Sequence, residues 1–230
     1  MNKKILGIIT ARGKSQEFPR KNVTSFCGKP LLAWTILASK KSKYISKTIV
    51  SSDDDEILKI SKSYGAEIIK RPDELAKDNS SSESVIMHSL DYLESKHEFY
   101  DEIVLLQPTS PLRTSMDIDN AYELMSKSSA NSLISVCKAN NRVLKYMKYG
   151  VGGYLEGISN NNSISMRRQD LPEVFKPNGA IFIISSISFK KTEKFITNKT
   201  VGYEMEAHLS IDIDSENDFR LAEIEMLSLL

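Results

Sequence analysis

The sequence predicts an α/β protein, with a mostly parallel central sheet flanked by helices. Three observations carry that prediction. Strand-like and helix-like segments alternate from residue 4 to about residue 140. The first strand-like segment, Lys4 to Thr10, is a nearly unbroken β-branched apolar run, as a strand buried on both faces requires. Clusters of polar residues follow directly on strand-like segments, where open α/β sheets bind their ligands.

The elements can be justified in order. After the first strand comes a polar, basic loop, Ala11 to Asn22. Pro30 to Ser42 reads as a helix, with Pro30 tolerated at its first turn and Leu32, Trp34, Ile36 and Leu37 largely apolar. Lys47 to Ser51 is a short strand. Asp53 to Tyr64 is an amphipathic helix that turns Ile57, Leu58 and Ile60 inward and ends at Gly65. Ala66 to Lys70 is a strand, Ser80 to Glu94 a helix, Glu102 to Leu106 a strand, Met116 to Ser126 a helix and Ser132 to Lys138 a strand. Arg142 to Gln169 breaks the alternation with four glycines and a run of asparagines, which points to an irregular or hairpin-rich insertion. Strand character returns at Gly179 to Ser185. A last amphipathic helix, Ser215 to Leu230, opens on a capping-box spacing at Ser215 to Asp218.

Composition narrows the function. The 230 residues carry 31 Lys+Arg against 30 Asp+Glu, a formal net charge of +1, with 40% hydrophobic and 27% charged residues. That is an ordinary globular composition, fitting one large domain over residues 1–230 or one domain with a small appendage, and it disfavours a dedicated nucleic-acid binder. Two cysteines, Cys27 and Cys137, make neither a disulfide framework nor a zinc motif. Three scattered histidines give little support for a metal cluster or a Ser-His-Asp triad. The apolar run Ile5 to Ile9 is too short for a secretory leader, and no stretch reaches the length of a membrane span. The expected setting is therefore the reducing cytoplasm.

Four clusters stand at strand ends. Ala11 to Asn22 contains Arg12, Gly13, Lys14, Ser15, Gln16, Arg20 and Lys21, a mixture suited to phosphate oxygens, although it is neither GxxxxGK[ST] nor GxGxxG. Ser51 to Asp55 has the Ser/Asp composition of a helix N-terminus and is read as that. Gln107-Pro108-Thr109-Ser110-Pro111-Leu112-Arg113 is a proline-fixed loop projecting Gln, Thr, Ser and Arg, the character of a preorganised binding loop. Asp212-Ile213-Asp214 puts two carboxylates on one face of an extended segment, a donor pair for Mg²⁺ that bridges phosphates. Asp117-Ile118-Asp119 has the same spacing, but it opens a helix, where acids complement the dipole.

Together these segments resemble the N-acylneuraminate cytidylyltransferases, which activate sialic acid, and their relatives acting on legionaminic, pseudaminic and similar nonulosonic acids. The motifs are ARG-x-S-xxx-PRKN at Ala11 to Asn22, RP-x-ELA at Arg71 to Ala76, LLQPTSPLR at Leu105 to Arg113, RRQ-x-LP around Arg168, KPNGAIFI at Lys176 to Ile183 and SIDID at Ser210 to Asp214. The resemblance implies a Rossmann-like, nucleotidyltransferase-type sheet. It implies attack of a sugar's anomeric hydroxyl on the α-phosphorus of CTP, giving a CMP-sugar and pyrophosphate with Mg²⁺ as cofactor. It matches Arg12, Lys21 and Asp212 to catalysis and Arg12, Gly13, Lys14, Ser15, Gln16, Lys21, Asn22, Arg71 and Ser82 to the nucleotide. It matches Gln107, Thr109, Ser110, Arg168, Gln169 and Asn178 to the sugar, and Asp212 and Asp214 to the metal. It also implies a homodimer, joined through a dimerisation arm inserted at residues 140–175, and no membrane partner.

The chain departs from that family at one place. Where the family has Gly-Ser-Lys-Gly, this chain has Lys14-Ser15-Gln16-Glu17, and Lys14 is the residue expected to replace the missing lysine. Three alternatives stay open: a homologue that binds but has lost catalysis, a CMP-Kdo-type synthetase, and a glycosyltransferase with a DxD metal site, which the late position of Asp212 disfavours.

Overall fold

The computed structural model describes residues 3–14, 17–77 and 80–229. The chain runs β1 (Ile5–Thr10), β2 (Ser25–Phe26), β3 (Lys29–Pro30), α1 (Leu31–Lys41), β4 (Lys47–Ser52), α2 (Asp55–Ser63), β5 (Glu67–Lys70), α3 (Ser82–Ser95), β6 (Glu102–Leu105), α4 (Ser115–Lys127) and β7 (Ser132–Ala139). It continues through β8 (Met147–Tyr149), β9 (Leu155–Gly157), α5 (Asn161–Ser165), β10 (Val174–Ser185), α6 (Ser186–Thr192), β11 (Thr200–Glu204) and α7 (Glu216–Leu229).

Seven strands form one sheet in the order β11-β7-β10-β6-β1-β4-β5. β1 lies between β4 and β6 and is parallel to both, and β5 is parallel to β4. Only β10 opposes its neighbours, pairing antiparallel with β6 and β7, with a register shift between Pro177 and Phe182. The sheet is thus the mostly parallel one expected.

Strand periodicity explains how the sheet carries two cores. Ile5 and Ile9 of β1 face a layer that includes Leu32 and Ile36 of α1, Ile57 of α2 and Ile118 of α4. Leu6 and Ile8 face the opposite layer, with Ile86 and Leu90 of α3 and Phe189 of α6. Both sets are buried, so β1 is apolar on both sides from Ile5 to Ile9, and truncating one of these isoleucines to alanine costs about 2–5 kcal/mol.

A third cluster bears on the site. Phe219, Ala222 and Met226 of α7 pack on Phe26, Leu31, Leu112 and Ile213. Phe18 stands edge-on to Phe219, with ring centroids 5.2 Å apart. The chain end therefore fastens the first loop and the Asp212–Asp214 segment to one apolar anchor.

Helix ends follow local chemistry. Asp54 caps α2 through the Ile57 amide, and Thr114 and Asp117 form a reciprocal capping box at α4. Ser215 and Asp218 make the equivalent bonds before α7. Asp119 does not cap its own helix. It accepts from the Ser42 hydroxyl and the Lys43 amide, tying α4 to the end of α1. The insertion is a small unit of its own, in which β8 and β9 pair antiparallel and α5 follows.

Candidate active site

A cavity of about 420 Å³ opens at the carboxyl ends of β1, β4, β5 and β6. Local structure explains each side of it. The chain leaving β1 stays attached to the sheet, because the Ala11 amide donates to the Ser51 carbonyl at 3.1 Å. Asn22, 6% exposed, donates to the Arg12 carbonyl at 3.0 Å and so closes the loop on itself. Its Oδ1, also buried, has no partner within the protein. Arg12 and Lys21 both line the cavity.

Lys21 is held from two directions. Its ammonium donates to the Ile213 carbonyl at 2.7 Å and to Asp214 Oδ1 at 2.8 Å. Ile213 is fully buried, and its amide donates to the Thr109 carbonyl at 2.8 Å. Its two flanking carboxylates, Asp212 and Asp214, are both directed into the cavity, as their alternation predicts. Surrounding protein pushes the Asp212 carboxyl above the ordinary aspartate value, and a hydrogen bond from Thr109 opposes that shift.

Arg71 forms the opposite wall. Its side chain is 5% exposed, and its terminal nitrogens donate to the Ser51 and Leu75 carbonyls, each at 3.3 Å. Burial lowers its pKa, the Asp53 carboxylate counteracts this, and the neighbouring Arg12 reinforces it. The start of α3, with Ser82, completes that side, while Gln107 and Thr109 enter from the end of β6. Four cations (Arg12, Lys21, Arg71 and Lys77), two acids and several neutral donors thus surround one space the size of a small-molecule site.

The sequence pattern of the cytidylyltransferase family matches residues 6–230. The chain belongs to the cytidylyltransferase family. It is 35% identical over 229 residues to the N-acylneuraminate cytidylyltransferase of Escherichia coli O18:K1:H7, covering 96% of this chain and 52% of that protein. The enzyme of the same name from Streptococcus agalactiae serotype V is 32% identical over 214 residues, covering 92% and 51%. The pseudaminic acid cytidylyltransferase of Campylobacter jejuni is 28% identical over 230 residues and is covered to 95% of its length. The chain spans about half the length of the N-acylneuraminate enzymes it matches. Among solved structures, a CMP:2-keto-3-deoxy-manno-octonic acid synthetase complexed with CTP superposes with a TM-score of 0.73 at 15% identity, covering 99% of this chain and 100% of that one. A 4-diphosphocytidyl-2C-methyl-D-erythritol synthase from Anaerococcus prevotii reaches 0.68 at 14% identity, with the same coverage. These two likenesses establish the nucleotidyltransferase-type fold.

Nine residues expected at a cytidylyltransferase site meet in the cavity: Arg12, Lys21, Asn22, Arg71, Ser82, Gln107, Thr109, Asp212 and Asp214. Others do not. Asn178, expected at the sugar, is 3% exposed, and its amide is used up internally. Its Oδ1 accepts from the Ser135 hydroxyl at 2.6 Å, and its Nδ2 donates to the Ser210 hydroxyl at 2.9 Å. Ser110 is likewise buried and donates to the Asn178 carbonyl at 3.3 Å. Both are structural struts behind the site. Arg113, expected to project from its loop, is instead fully buried and donates to the Thr35 hydroxyl at 2.7 Å, with burial pulling its pKa down to about 10.

Arg168 and Gln169 line a second cavity of about 630 Å³ at the root of the insertion, with Lys138, Asn140 and Glu173. In the basic loop, Arg20 pairs with Asp54 at 2.6 Å and with Glu56, so its charge is spent on α2. Lys14 and Glu17 are exposed, and neither lines the cavity. Ser15 and Gln16 lie outside the described residues. The Gly13 amide donates to Asp53 Oδ1 at 3.2 Å.

Two contributors have weak sequence signals. Gly179 has φ +76°, and a Cβ there would sit 2.4 Å from Gln107 Oε1 and 3.3 Å from Asp212 Oδ2, so only glycine lets β10 pass behind both side chains. The Ser51 to Asp55 composition predicts acids at a helix cap, but Asp54 serves that function and Asp53 turns back to the loop. Its position at the carboxyl end of β4, opposite a glycine of the β1 loop, is the signal that separates the two acids.

Proposed function

We propose that the chain transfers cytidylyl groups from CTP to a nonulosonic acid, giving a CMP-sugar and pyrophosphate. The observation that carries this reading is the meeting of Arg12, Lys21 and Arg71 with Asp212 and Asp214 in one cavity at the strand ends. In this reaction the anomeric oxygen forms a bond to the α-phosphorus, the bond to the β-phosphate bridge breaks, and the hydroxyl proton is lost. Such a transfer demands positioning and neutralisation of charge more than covalent help. Arg12 and Lys21 would face the triphosphate, Lys21 exchanging its bond to Asp214 for phosphate oxygens. Asn22 Oδ1, buried and unpartnered, and Arg71 lie where the nucleoside would bind, while Gln107 and Thr109 would face the sugar.

The donor set suits Mg²⁺. Among the described residues no group of three or more His, Cys, Asp or Glu could hold a metal, which speaks against a closed protein cage. Two cavity carboxylates are what an ion that keeps waters and takes its remaining oxygens from phosphate requires. Asp212 and Asp214 would hold it, and it would neutralise charge on the triphosphate.

The arm at residues 140–175 would join two copies of this chain. Tyr146, Tyr149, Tyr154 and Leu155 are exposed on it, and Val151 is 100% exposed. A partner's arm would bring Arg168 and Gln169 to the sugar end, since neither reaches the cavity of its own chain. Among the described residues no helix is long and apolar enough to cross a membrane. The cytoplasm, where CTP is available, is the proposed setting.

Pyrophosphate release and CMP-sugar formation, measured with CTP and Mg²⁺ against neuraminic, legionaminic and pseudaminic acids and Kdo, test the reading. Turnover of one of the first three supports it, and turnover of Kdo alone moves the chain to the CMP-Kdo branch. CTP binding with no turnover of any of them supports the second reading, a catalytically impaired homologue, which the altered Lys14 to Glu17 sequence favours.

A further inference from the structure

The end of β4 is bonded to the loop after β1 and to Arg71, which both line the cavity. The Ser51 carbonyl accepts from the Ala11 amide at 3.1 Å and from Arg71 at 3.3 Å. The Ser52 carbonyl accepts from the Arg71 amide at 3.0 Å. Asp53 Oδ1 accepts from the Gly13 amide at 3.2 Å and lies 3.7 Å from Arg71 Nε. That Nε is buried and makes no hydrogen bond. Asp53 itself does not line the cavity.

The cap of α2 does not need Asp53. Asp54 accepts from the Ile57 amide and pairs with Arg20, and a Cβ on Gly13 would stand 2.8 Å from its side chain. Asp53 is surplus to the helix, and its carboxylate points at two things that, in the proposed reaction, have to stay in place beside a bound nucleotide. One is the backbone of the basic loop. The other is a buried guanidinium whose neighbour is a second arginine, Arg12, with which it repels.

Building on the proposed cytidylyltransferase reading, we infer that Asp53 is a positioning residue, whose single carboxylate oxygen sets the Gly13 backbone and the Arg71 guanidinium in register for the nucleotide. Its action runs through those two groups, without contact to substrate. The sign of its effect makes this decidable. Removing an acid from the surroundings of an anionic ligand strengthens binding if charge alone matters. It weakens binding if the acid's task is geometric.

The test uses the full chain with CTP and Mg²⁺, comparing the wild type with Asp53→Ala and Asp53→Asn. Titration calorimetry gives the CTP dissociation constant, and hydrogen exchange of the ligand-free protein reports on residues 8–23 and 70–77. Asp53→Ala is expected to raise the dissociation constant about tenfold, the size of one lost charge-assisted contact, and to speed exchange in both segments while α4 and β6 are unchanged. Asp53→Asn keeps an acceptor for Gly13 but no charge for Arg71, so it should restore exchange in the first segment and leave the second fast. Tighter CTP binding in either variant overturns the inference, as does unaltered exchange in both segments. A wild type that binds no CTP sinks the cytidylyltransferase reading, and the exchange data still decide the role of Asp53. Should Asp53→Ala fail to fold, the near-isosteric Asp53→Asn carries both readouts.

Discussion

The basic loop after β1 and the arm between residues 140 and 175 both break the alternation of strands and helices, yet they are held in opposite ways. The loop is fastened to four other parts of the molecule: to β4 through Ala11 and Gly13, to α2 through Arg20, to the segment before α7 through Lys21, and to α7 itself through Phe18. The arm is fastened mainly to itself. Its hairpin pairs β8 with β9, and between residues 140 and 175 only Ser163 and Leu171 are buried. Irregular chain built for chemistry is over-determined from within its own subunit. Irregular chain with exposed tyrosines and an unburied valine would, in the proposed assembly, find its complement on a second copy.

That contrast can be broken most decisively at Lys21. Its ammonium joins the loop to Ile213 and Asp214, and in the proposed reaction it faces phosphate. Lys21→Ala should reduce kcat/KM for CTP by about 10²–10³-fold, the loss typical of a preorganised charge stabiliser. Pyrophosphate release measured against a panel of arm variants checks this, and an effect no larger than theirs would erase the distinction between the two regions.

The next effect is on stability. Arg113 is fully buried beneath the Gln107–Ser110 loop, with Nε and Nη1 unpartnered. Arg113→Ala leaves a cavity and an unanchored Thr35, and should cost about 3 kcal/mol in urea unfolding. Arg113→Met fills the volume without orphaned donors and should recover most of that loss. If both variants unfold alike, the hydrogen bond to Thr35 outweighs packing at this position.

The arm gives the third test. Tyr149→Glu with Tyr154→Glu places charge on the most exposed aromatic face and should weaken self-association by about 2 kcal/mol or more, read as a shift toward monomer in sedimentation. The melting temperature of the chain should hardly change, because these rings bury little within it. A monomeric wild type would refute the arm's proposed part in assembly.

The same division decides what could be read in the sequence. β1 was legible because a strand buried on both faces leaves a nearly unbroken apolar run, and β4 and β6 because Ile49-Val50 and Ile103 to Leu105 are short apolar runs that end in polar clusters. The first part of β10, and the whole of β11 and α6, left weaker marks. Their residues are short, polar or half-exposed, and β10 is the strand that runs against its neighbours. That Lys21 and Asp212 would line the strand-end cavity was legible because their charges have few uses inside a fold. Asn178 and Ser110 were not, because a small polar side chain next to a binding loop serves equally as a contact or as a strut. Only the partners supplied by Ser135, Ser210 and Asn178 itself decide which. Asp53 and Asp54 are adjacent acids with different tasks, and the choice between them depends on which one the α2 amides claim first.

The smallest predicted effect concerns Lys14. Residue type alone marks it as the replacement for the lysine that the family carries two positions later, and Lys21 in the same loop has the same chemistry. Their surroundings differ. Lys21 is 11% exposed and makes two hydrogen bonds in the cavity wall, whereas Lys14 is exposed and outside that wall. A solvated ammonium at such a site contributes through screened long-range attraction, about 1 kcal/mol or less. Lys14→Ala should therefore change kcat/KM for CTP by less than about fivefold, with the difference vanishing at high salt. A salt-independent loss of the size expected for Lys21→Ala would mean that Lys14 swings onto the phosphates once CTP is bound, and that loop charge has been relocated within this chain.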